Sequence, residues 1–392
     1  MIPLNYEKFT LSNGLQVVLM EDHTLPLAAV NLWYHVGSKN EDPGRTGFAH
    51  LFEHVMFEGS KHHNKSFFDP MQKVGAMLNG STNPDRTNYW ETLPSEHLEL
   101  ALWLESDRMG FLLDALDQKR LDVQRDVVKN ERRQSYENRP YGMANLLLQP
   151  TLFPKPHPYN WPTIGTPEDL DAAQLDDVKA FFRKYYAPNN ASLCIVGDID
   201  TSDVMLQVER YFGEIPPGPP ITRIGRMDTK VHGNAHLTMQ DNVQLARIYL
   251  AWPGLPAFDP DRPAKDILGS VLGDGKTSRL HKRMVYDTQA ARDVAVITGA
   301  MEIAGEIEVS VTASPGQSLD ELQKVVMEEL QRIQEQPPSE EEVTRAKNRV
   351  ETHYVGMLEH FGGFGGRADQ LNYFGVYQND PGLAATIMER YR

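Results

Sequence analysis

The sequence is poor in cysteine and has no long hydrophobic run. Its single cysteine, Cys194, excludes an intrachain disulfide, and its apolar neighbours indicate a buried, inert thiol. No run of about 18 apolar residues occurs, so membrane insertion is not expected. The N-terminus has no basic stretch followed by an apolar core, so no signal peptide is predicted. A cytoplasmic protein and a mature periplasmic one both fit, and the compartment is left open.

Positive charge is also scarce. The chain has 39 lysines and arginines against 54 aspartates and glutamates, which gives a formal net charge of −15. Bulk electrostatics therefore does not favour binding to nucleic acid or to an anionic membrane, and neither partner is predicted. An acidic surface would favour basic peptides in the encounter step, though only weakly at physiological salt.

The order of the predicted elements indicates two copies of one fold. Strands and helices are mixed without strict βαβ alternation, which favours an α+β class with mostly antiparallel sheets covered by helices. Proline and glycine are concentrated near residue 215, and the same order of elements restarts after them. We predict a first domain at 1–215, a linker at 216–232 and a duplicated second domain at 233–392. The second copy stops before a counterpart of the last strand and helix of the first, so it is expected to be incomplete.

One short motif carries the strongest chemical signal. Residues 50–54 read HLFEH, which places His50 and His54 one turn apart on one face of a helix, with Glu53 close to that face. This order is the inverted form of the H-E-x-x-H zinc motif. Pairs at this spacing also arise by chance in a chain with 13 histidines. The apolar surroundings favour a metal site, because buried polar groups are costly unless paired, but the motif alone supplies no third ligand.

Further motifs make a family resemblance specific. The segment GRTGFAH leads into the first histidine, and LNGSTNPDRTNY follows the motif. With these motifs the chain resembles the inverted-motif zinc peptidases of the pitrilysin, insulin-degrading enzyme and mitochondrial processing peptidase type, peptidase family M16. That family has a glutamate ligand 77 positions after the second histidine, and this position is Glu131 here, on a predicted helix. The resemblance covers essentially the whole chain and is strongest over residues 8–140.

The resemblance implies a catalytic zinc centre. One Zn²⁺ per chain is expected, bound by His50, His54 and Glu131, with the fourth position open to water. Glu53 is expected to be the general base, which takes a proton from the water and later delivers it to the leaving amine. The family often has a second glutamate seven residues before the ligand, where this chain has Gln124. An amide there still forms hydrogen bonds but carries no charge, so the change is expected to tune metal affinity and rate.

The resemblance also implies where a peptide substrate binds. Residues 76–81 resemble the edge strand that pairs with extended substrate in the family, and Asn79, with Gly80 and Ser81, is expected to contact it. A plain core strand is the alternative interpretation. Two similar halves closing as a clamshell would enclose the substrate in a chamber that excludes folded proteins.

A second substrate contact is less clear in the sequence. Family members hold the substrate backbone with an arginine and a tyrosine of the second copy, often in a run R-x-x-x-G-L-x-Y. The G-L-x-Y part is absent here, so either Arg283 and Tyr286 serve or a partner subunit brings the pair. A homodimer, or a heterodimer with a related subunit that lacks the metal, is therefore expected.

The sequence contains three weaker signals. The run GGFGG at 362–366 follows a helix, so it is not a dinucleotide-binding loop, and a flexible connection is predicted. His62 and His63 lie in a polar loop and are expected to be solvated instead of binding a metal. Strands are predicted at His236–Met239 and Ala246–Ala251.

Three functions compete at this stage. The first is a zinc endopeptidase acting on peptides or unfolded segments, and the second is a non-catalytic interaction subunit. The third is a metal-binding module without hydrolysis. Non-catalytic relatives typically lose the metal residues, whereas all four are present here, and the retained Glu53 argues against the third function.

Overall fold

The computed structural model describes residues 3–229 and 233–392, so the last three residues of the predicted linker, 230–232, lie outside the described residues. Among the described residues, no helix has the length and apolar character that crossing a membrane requires. The strands are β1 (Glu7–Thr10), β2 (Gln16–Glu21), β3 (Leu27–Tyr34), β4 (Met77–Thr82), β5 (Thr87–Pro94), β6 (Ala191–Gly197), β7 (Arg247–Gly254), β8 (Ala291–Ile297) and β9 (Gly305–Ala313).

The helices vary from one turn to five. They are α1 (Phe48–Val55), α2 (Phe68–Lys73), α3 (Leu98–Ala115), α4 (Gln118–Arg132), α5 (Ala144–Leu152), α6 (Pro167–Ala172), α7 (Leu175–Tyr185), α8 (Thr201–Phe212), α9 (Arg262–Gly273), α10 (Arg279–His281), α11 (Leu319–Glu335), α12 (Glu340–Leu358), α13 (Arg367–Gln378) and α14 (Leu383–Thr386).

The chain divides into two compact units. The first contains residues up to Arg132, Trp161–Arg223 and Tyr354–Ile387, and the second contains Arg133–Asn160, Ile224–His353 and Met388–Arg392. The halves predicted at 1–215 and 233–392 are continuous in sequence, whereas each unit includes a segment from the other half. The predicted boundaries therefore differ from the division of the chain into compact units.

The first unit is built on a six-stranded sheet with the order β1-β2-β6-β3-β5-β4. All neighbouring strands are antiparallel except β2 and β6. The central strands β3 and β6 are buried along almost their whole length, and Cys194 is buried within β6. Because both faces of these strands are covered, their sequences are mostly apolar on both faces, with Asn31 and Ser192 as buried polar exceptions. Strand β4 forms one edge of the sheet.

Helix α13 is fixed to one face of this sheet by buried hydrogen bonds. Oδ1 of Asp369 accepts hydrogen bonds from Nε1 of Trp33 at 2.9 Å and from Nδ2 of Asn88 at 3.0 Å. One turn later, Nδ2 of Asn372 donates to the carbonyl oxygen of Asn31 at 2.8 Å. These satisfied polar contacts explain why a helix from the second half of the sequence belongs to the first unit.

The opposite face of β5 holds a buried charge. The Arg108 guanidinium of α3 lies 4.1 Å from the centre of the Tyr89 ring and pairs with Glu105 and Glu91. Burial, followed by the charge of Glu105, raises the pKa of Glu91 well above its usual range. The hydroxyl of Tyr89 donates to the carbonyl oxygen of Phe52 at 3.3 Å, which ties helix α1 to the sheet.

The second unit contains the three-stranded antiparallel sheet β7-β9-β8. Val309 and Val311 of β9 join Leu322 and Val326 of α11 in its core. Polar residues alternate with these valines in the sequence of β9, but Ser310 and Thr312 are buried as well. Two units with mostly antiparallel sheets confirm the predicted α+β class.

A sharp turn sets the start of helix α1. Gly47 precedes the helix with a φ of 90°, in the left-handed region that favours glycine. A methyl group at this position would lie 3.1 Å from the Cα of Gly165, so the two backbones approach closely. Glu41 accepts hydrogen bonds from the amides of Gly47 at 2.9 Å and Ala49 at 2.8 Å, which satisfies two free donors of the helix end.

Replacing Gly47 with alanine is expected to lower the free energy of unfolding by about 1–3 kcal/mol, because it combines left-handed strain with a close contact. Chemical denaturation would measure this change. Gly44→Ala is the matched control, since Gly44 has a φ of 86° but no atom within 4 Å of the added methyl group. Equal losses for both variants would contradict a role for the close approach.

Candidate metal centre

Helix α1 presents two imidazoles on one face. His50 and His54 are four residues apart, and their ring centres lie 4.8 Å apart. His50 is buried, and His54 is partly exposed. Two imidazoles from consecutive turns can therefore reach a common point on this face of the helix.

Helix α4 brings the predicted third residue to the same point. Oε2 of Glu131 lies 3.2 Å from Nε2 of His54 and 3.6 Å from Nε2 of His50. The donor atoms that the three residues offer all lie within 4.8 Å of one another. Donor atoms bound to one tetrahedral zinc ion at its usual bond lengths lie about 3.3 Å apart, so the spacing fits zinc. Two nitrogens and one oxygen are also a donor set that zinc accepts.

The charge states at this cluster suit metal binding. Burial, and then the nearby His54, lowers the pKa of His50 to about 4, so its imidazole is neutral at neutral pH. A hydrogen bond with His54 is the largest cause that lowers the pKa of Glu131, which keeps this carboxylate ionised. Neutral imidazole and ionised carboxylate are the forms in which these side chains bind a metal.

Glu53 lies beside the cluster and is held by a residue of the sheet. Oγ1 of Thr82, at the end of β4, donates a hydrogen bond of 2.6 Å to Oε2 of Glu53. Burial raises the pKa of Glu53, and the hydrogen bond from Thr82 opposes this rise. Thr82 was not predicted from the sequence. The only indication there was a hydroxyl residue just beyond the strand residues expected to contact substrate.

Replacing Thr82 with valine keeps the shape of the side chain but removes its hydroxyl. If Glu53 serves as the base of a hydrolysis, we expect the kcat/KM to fall about tenfold, because an orienting hydrogen bond to a charged group is lost. Steady-state kinetics would measure the loss. Thr82→Ser retains the hydroxyl and is expected to stay near the wild-type value. A serine variant as slow as the valine variant would exclude the hydroxyl as the cause.

Gln124 lies on α4, two turns before Glu131 and on the same side of the helix. Its side chain is buried, with 5% exposure. The predicted role in tuning the metal centre stays a prediction.

Strand β4 carries the three residues predicted to contact substrate. Asn79 is exposed, whereas Gly80 is buried, and a methyl group there would lie 3.1 Å from the Phe57 ring. Ser81 donates a hydrogen bond of 2.7 Å to Oδ1 of Asn88. In the described part of the chain β4 pairs only with β5, so no strand covers its other edge. The amide of Gly80 donates a hydrogen bond of 2.8 Å to Oδ1 of Asn79.

The two candidate substrate residues of the second unit differ in their surroundings. The guanidinium of Arg283 pairs with Glu328 and lies 3.4 Å from Oε2 of Glu329. Tyr286 is 77% exposed. Arg283 would have to exchange these partners to hold a substrate, and its role remains a prediction.

The loop after α1 is held by one carboxylate. Oδ2 of Asp107 accepts hydrogen bonds from the amides of His62 and His63, both at 3.1 Å, and also pairs with Ser60. Oδ1 of Asp107 contacts the His62 ring. His62 is exposed and His63 is partly exposed, as expected of solvated side chains, and mainly their backbone amides fix this loop to α3.

Two family profiles match the chain. The profile described as insulinase, peptidase family M16, matches residues 16–156, and the profile described as peptidase M16 inactive domain matches residues 172–350. Together they cover most of the sequence. The HLFEH motif and Glu131 all lie within the first match.

Curated relatives include named zinc proteases. The zinc protease PqqE of Helicobacter pylori is 28% identical over 368 residues, which cover 90% of this chain and 80% of that protein. The uncharacterized zinc protease YmxG of Bacillus subtilis is 24% identical over 90% of this chain and 84% of its own length. A probable mitochondrial-processing peptidase subunit beta of Arabidopsis thaliana is 24% identical over 90% of this chain and 67% of that protein.

Solved structures support the fold. A protease from Helicobacter pylori superposes with a TM-score of 0.89 at 26% identity, covering 99% of this chain and 93% of that one. A peptidase M16 inactive domain from Pseudomonas fluorescens has a TM-score of 0.84 at 20% identity, covering 99% and 91%. The second likeness, at this low identity, concerns the fold alone.

Proposed function

The chain belongs to peptidase family M16, and on this premise we propose that it is a zinc-dependent metallopeptidase that hydrolyses peptides or unfolded segments of proteins. The observation that carries the proposal is the meeting of His50, His54 and Glu131, with all donor atoms within 4.8 Å. These residues come from two helices that are distant in sequence. Zinc bound by the three residues would supply a Lewis acid that polarises the scissile carbonyl and acidifies water.

The protein's own residues would move the protons. Glu53 lies next to His54 in the sequence, and its carboxylate would accept a proton from the attacking water. It would then donate this proton to the nitrogen of the leaving amine. The hydrogen bond from Thr82 holds one oxygen of Glu53 and leaves the other free for this exchange. General acid–base catalysis of this kind contributes about 10²–10⁴-fold to a rate.

The free edge of β4 would bind the substrate. Backbone hydrogen bonds to alternate residues of the stretch Asn79, Gly80 and Ser81 would add the peptide to the sheet as a further strand, and the other side chains would contact it. Such pairing requires an extended chain, so short peptides and unfolded segments are the expected substrates. Enclosure of the substrate by the two halves is part of this proposal.

The proposal also includes the oligomeric state of the protein and its compartment. The likeness to a mitochondrial-processing peptidase subunit supports a dimer, either of two copies or with a related subunit that lacks the metal. Such a partner would supply the substrate-holding arginine and tyrosine if Arg283 and Tyr286 do not. Both the cytoplasm and the periplasm remain open as the compartment.

Peptide cleavage tests the function directly. The purified chain would be incubated with an unstructured peptide that carries a fluorophore and a quencher, with and without a zinc chelator. Cleavage that stops with chelator and returns on addition of zinc supports the peptidase. Cleavage that continues unchanged after zinc removal would refute the zinc mechanism. Tight zinc binding without cleavage of any peptide would favour a non-catalytic subunit.

A further inference from the structure

The glycine-rich run at 362–366 forms a specific closed turn instead of the flexible connection predicted from the sequence. Gly363 and Gly365 have φ values of 80° and 81°, both in the left-handed region. The amide of Gly365 donates a hydrogen bond of 2.8 Å to Oδ2 of Asp369, the residue whose other oxygen binds the sheet. The amide of Gly366 donates to the carbonyl oxygen of Gly363 at 3.3 Å. The turn is therefore tied to the first sheet through Asp369.

The turn also lies directly against the sheet. A methyl group at Gly362 would lie 2.3 Å from Oγ1 of Thr92 and 2.8 Å from Cβ of Ala29, so no larger residue fits without a shift. Thr92 and Ala29 are neighbours on β5 and β3. The glycines thus permit a close approach of the loop backbone to the face of the sheet.

This turn presents one large side chain, Phe364. Its ring lies edge-on to Trp90 of β5, with centres 5.6 Å apart and planes at 83°. Half of Phe364 remains exposed. Within the described residues, the buried Nε1 of Trp90 has no hydrogen-bond partner, so the contact between the two side chains is apolar. A half-exposed aromatic ring on a closed turn offers apolar area for a binding contact at a low cost in conformational entropy.

The aromatic pair lies beside the edge strand that is proposed to bind substrate. In the antiparallel register, Asn79 of β4 is directly opposite Trp90, and Met77 is opposite Thr92. Residues directly opposite each other point to the same face, so Asn79 and Met77 share the face of Trp90. Met77 is 65% exposed and adds apolar surface on this face.

The other face of β4 belongs to the metal centre. Gly80 faces Phe57, and Thr82 reaches Glu53. A peptide strand on the free edge of β4 would place successive side chains on alternate faces. Side chains on the face of Phe364 would therefore alternate with those directed toward helix α1.

We propose that Phe364 and Trp90 form a contact site for one bulky apolar side chain of a peptide lying along β4, and that this contact sets a substrate preference. The inference rests on the proposed function. It assigns a specificity role to a loop that follows α12, far in sequence from the metal motif. The preference concerns a side chain directed away from α1, at a fixed distance from the cleaved bond.

The test uses the full chain and a series of peptides. Starting from an unstructured, end-capped peptide that is rich in leucine, each leucine would be changed singly to serine, and cleavage sites would be assigned by mass spectrometry. With wild type, serine at one position is expected to lower kcat/KM about five- to tenfold, the loss typical of a weakened apolar contact. With Phe364→Ala the ratio of kcat/KM between the leucine and serine peptides is expected to be about one. With Phe364→Leu most of the wild-type ratio is expected to return. Leu206→Ala, which truncates an apolar residue on α8 that is 69% exposed, is the control and is expected to match wild type.

A binding measurement separates the inference from the function on which it rests. The same peptides, labelled with a fluorophore, would be titrated with Glu53→Gln and with the double variant Glu53→Gln, Phe364→Ala, and anisotropy would report affinity. Position-dependent binding that requires Phe364, without cleavage by wild type, would support the inference and refute the peptidase. A Phe364→Ala variant whose affinity and kcat/KM fall equally with every peptide would overturn the inference. So would a variant that keeps the full preference for leucine over serine at that position. Cleavage by wild type with no position dependence would overturn the inference alone.

Discussion

Replacing Glu53 with glutamine is expected to lower kcat for peptide cleavage by about 10³–10⁴-fold, near the upper end of what general acid–base catalysis contributes. The amide matches the carboxylate in size and can keep the hydrogen bond from Thr82, but it cannot accept a proton from water. Because the three metal ligands are unchanged, zinc content is expected to stay at the wild-type level. The kinetic loss should therefore appear in kcat, with substrate binding retained.

The control for this variant is Glu58→Gln, which makes the same chemical change at an exposed position a few residues later. It is expected to cleave at the wild-type rate. A Glu53→Gln variant that binds zinc and cleaves as fast as wild type would show that another group is the base. A variant that loses zinc would instead place Glu53 among the ligands.

Replacing Glu131 with alanine is expected to remove both zinc and activity. Altering a side chain that only supports a ligand lowers metal affinity about 10–100-fold, and losing a ligand should lower it by more than about 100-fold. His50 and His54 would remain, but two ligands do not hold zinc in a catalytic site. Titration of zinc into the metal-free chain against a competing chelator would measure the affinity.

A matched control for the ligand variant is available on the same helix. Asp126 is an exposed carboxylate of α4, with 71% of its side chain accessible, and pairs only with Lys129 among the described residues. Asp126→Ala is expected to bind zinc as tightly as wild type. Similar losses for both variants would indicate that the charge of α4, not a bond from Glu131, sets the affinity.

The cluster of possible metal ligands could be predicted from the sequence because its residues follow a linear pattern. His50 and His54 were predicted from their helical spacing. Glu131 was predicted from its distance along the chain to His54, which the family resemblance implies. The structure brings the three together as that pattern requires. Thr82 could not be found in this way, because its contact with Glu53 depends on how β4 packs against α1.

The fold class could be predicted from the sequence, but one strand and the packing of one helix could not. The predicted strand at Ala246–Ala251 corresponds to β7, but His236–Met239 belongs to no strand of the described residues, and that prediction is wrong. Leu237 is 54% exposed, so an alternating pattern existed without a partner strand to cover it. The docking of α13 was also missed, because Asp369 and its partners are polar residues whose burial depends on contacts between distant parts of the chain.

The conformation of the glycine-rich run at 362–366 also could not be predicted from the sequence. Its composition predicts flexibility, since glycine permits many backbone conformations. In the structure Gly363 and Gly365 have a left-handed φ, Gly362 lies close to the sheet, and Gly366 lies close to the backbone of Gly362. Composition alone does not distinguish these two uses of glycine.

Peptide cleavage is proposed to require one zinc ion per chain. The most direct measurement is to remove zinc from the purified chain, return it in steps below and above one equivalent, and follow cleavage of an unstructured peptide at each step. We expect no cleavage in the metal-free chain, a rate that rises in proportion to bound zinc, and a plateau at one equivalent. Cleavage by the metal-free chain, or a fully loaded chain that cleaves nothing, would contradict the account.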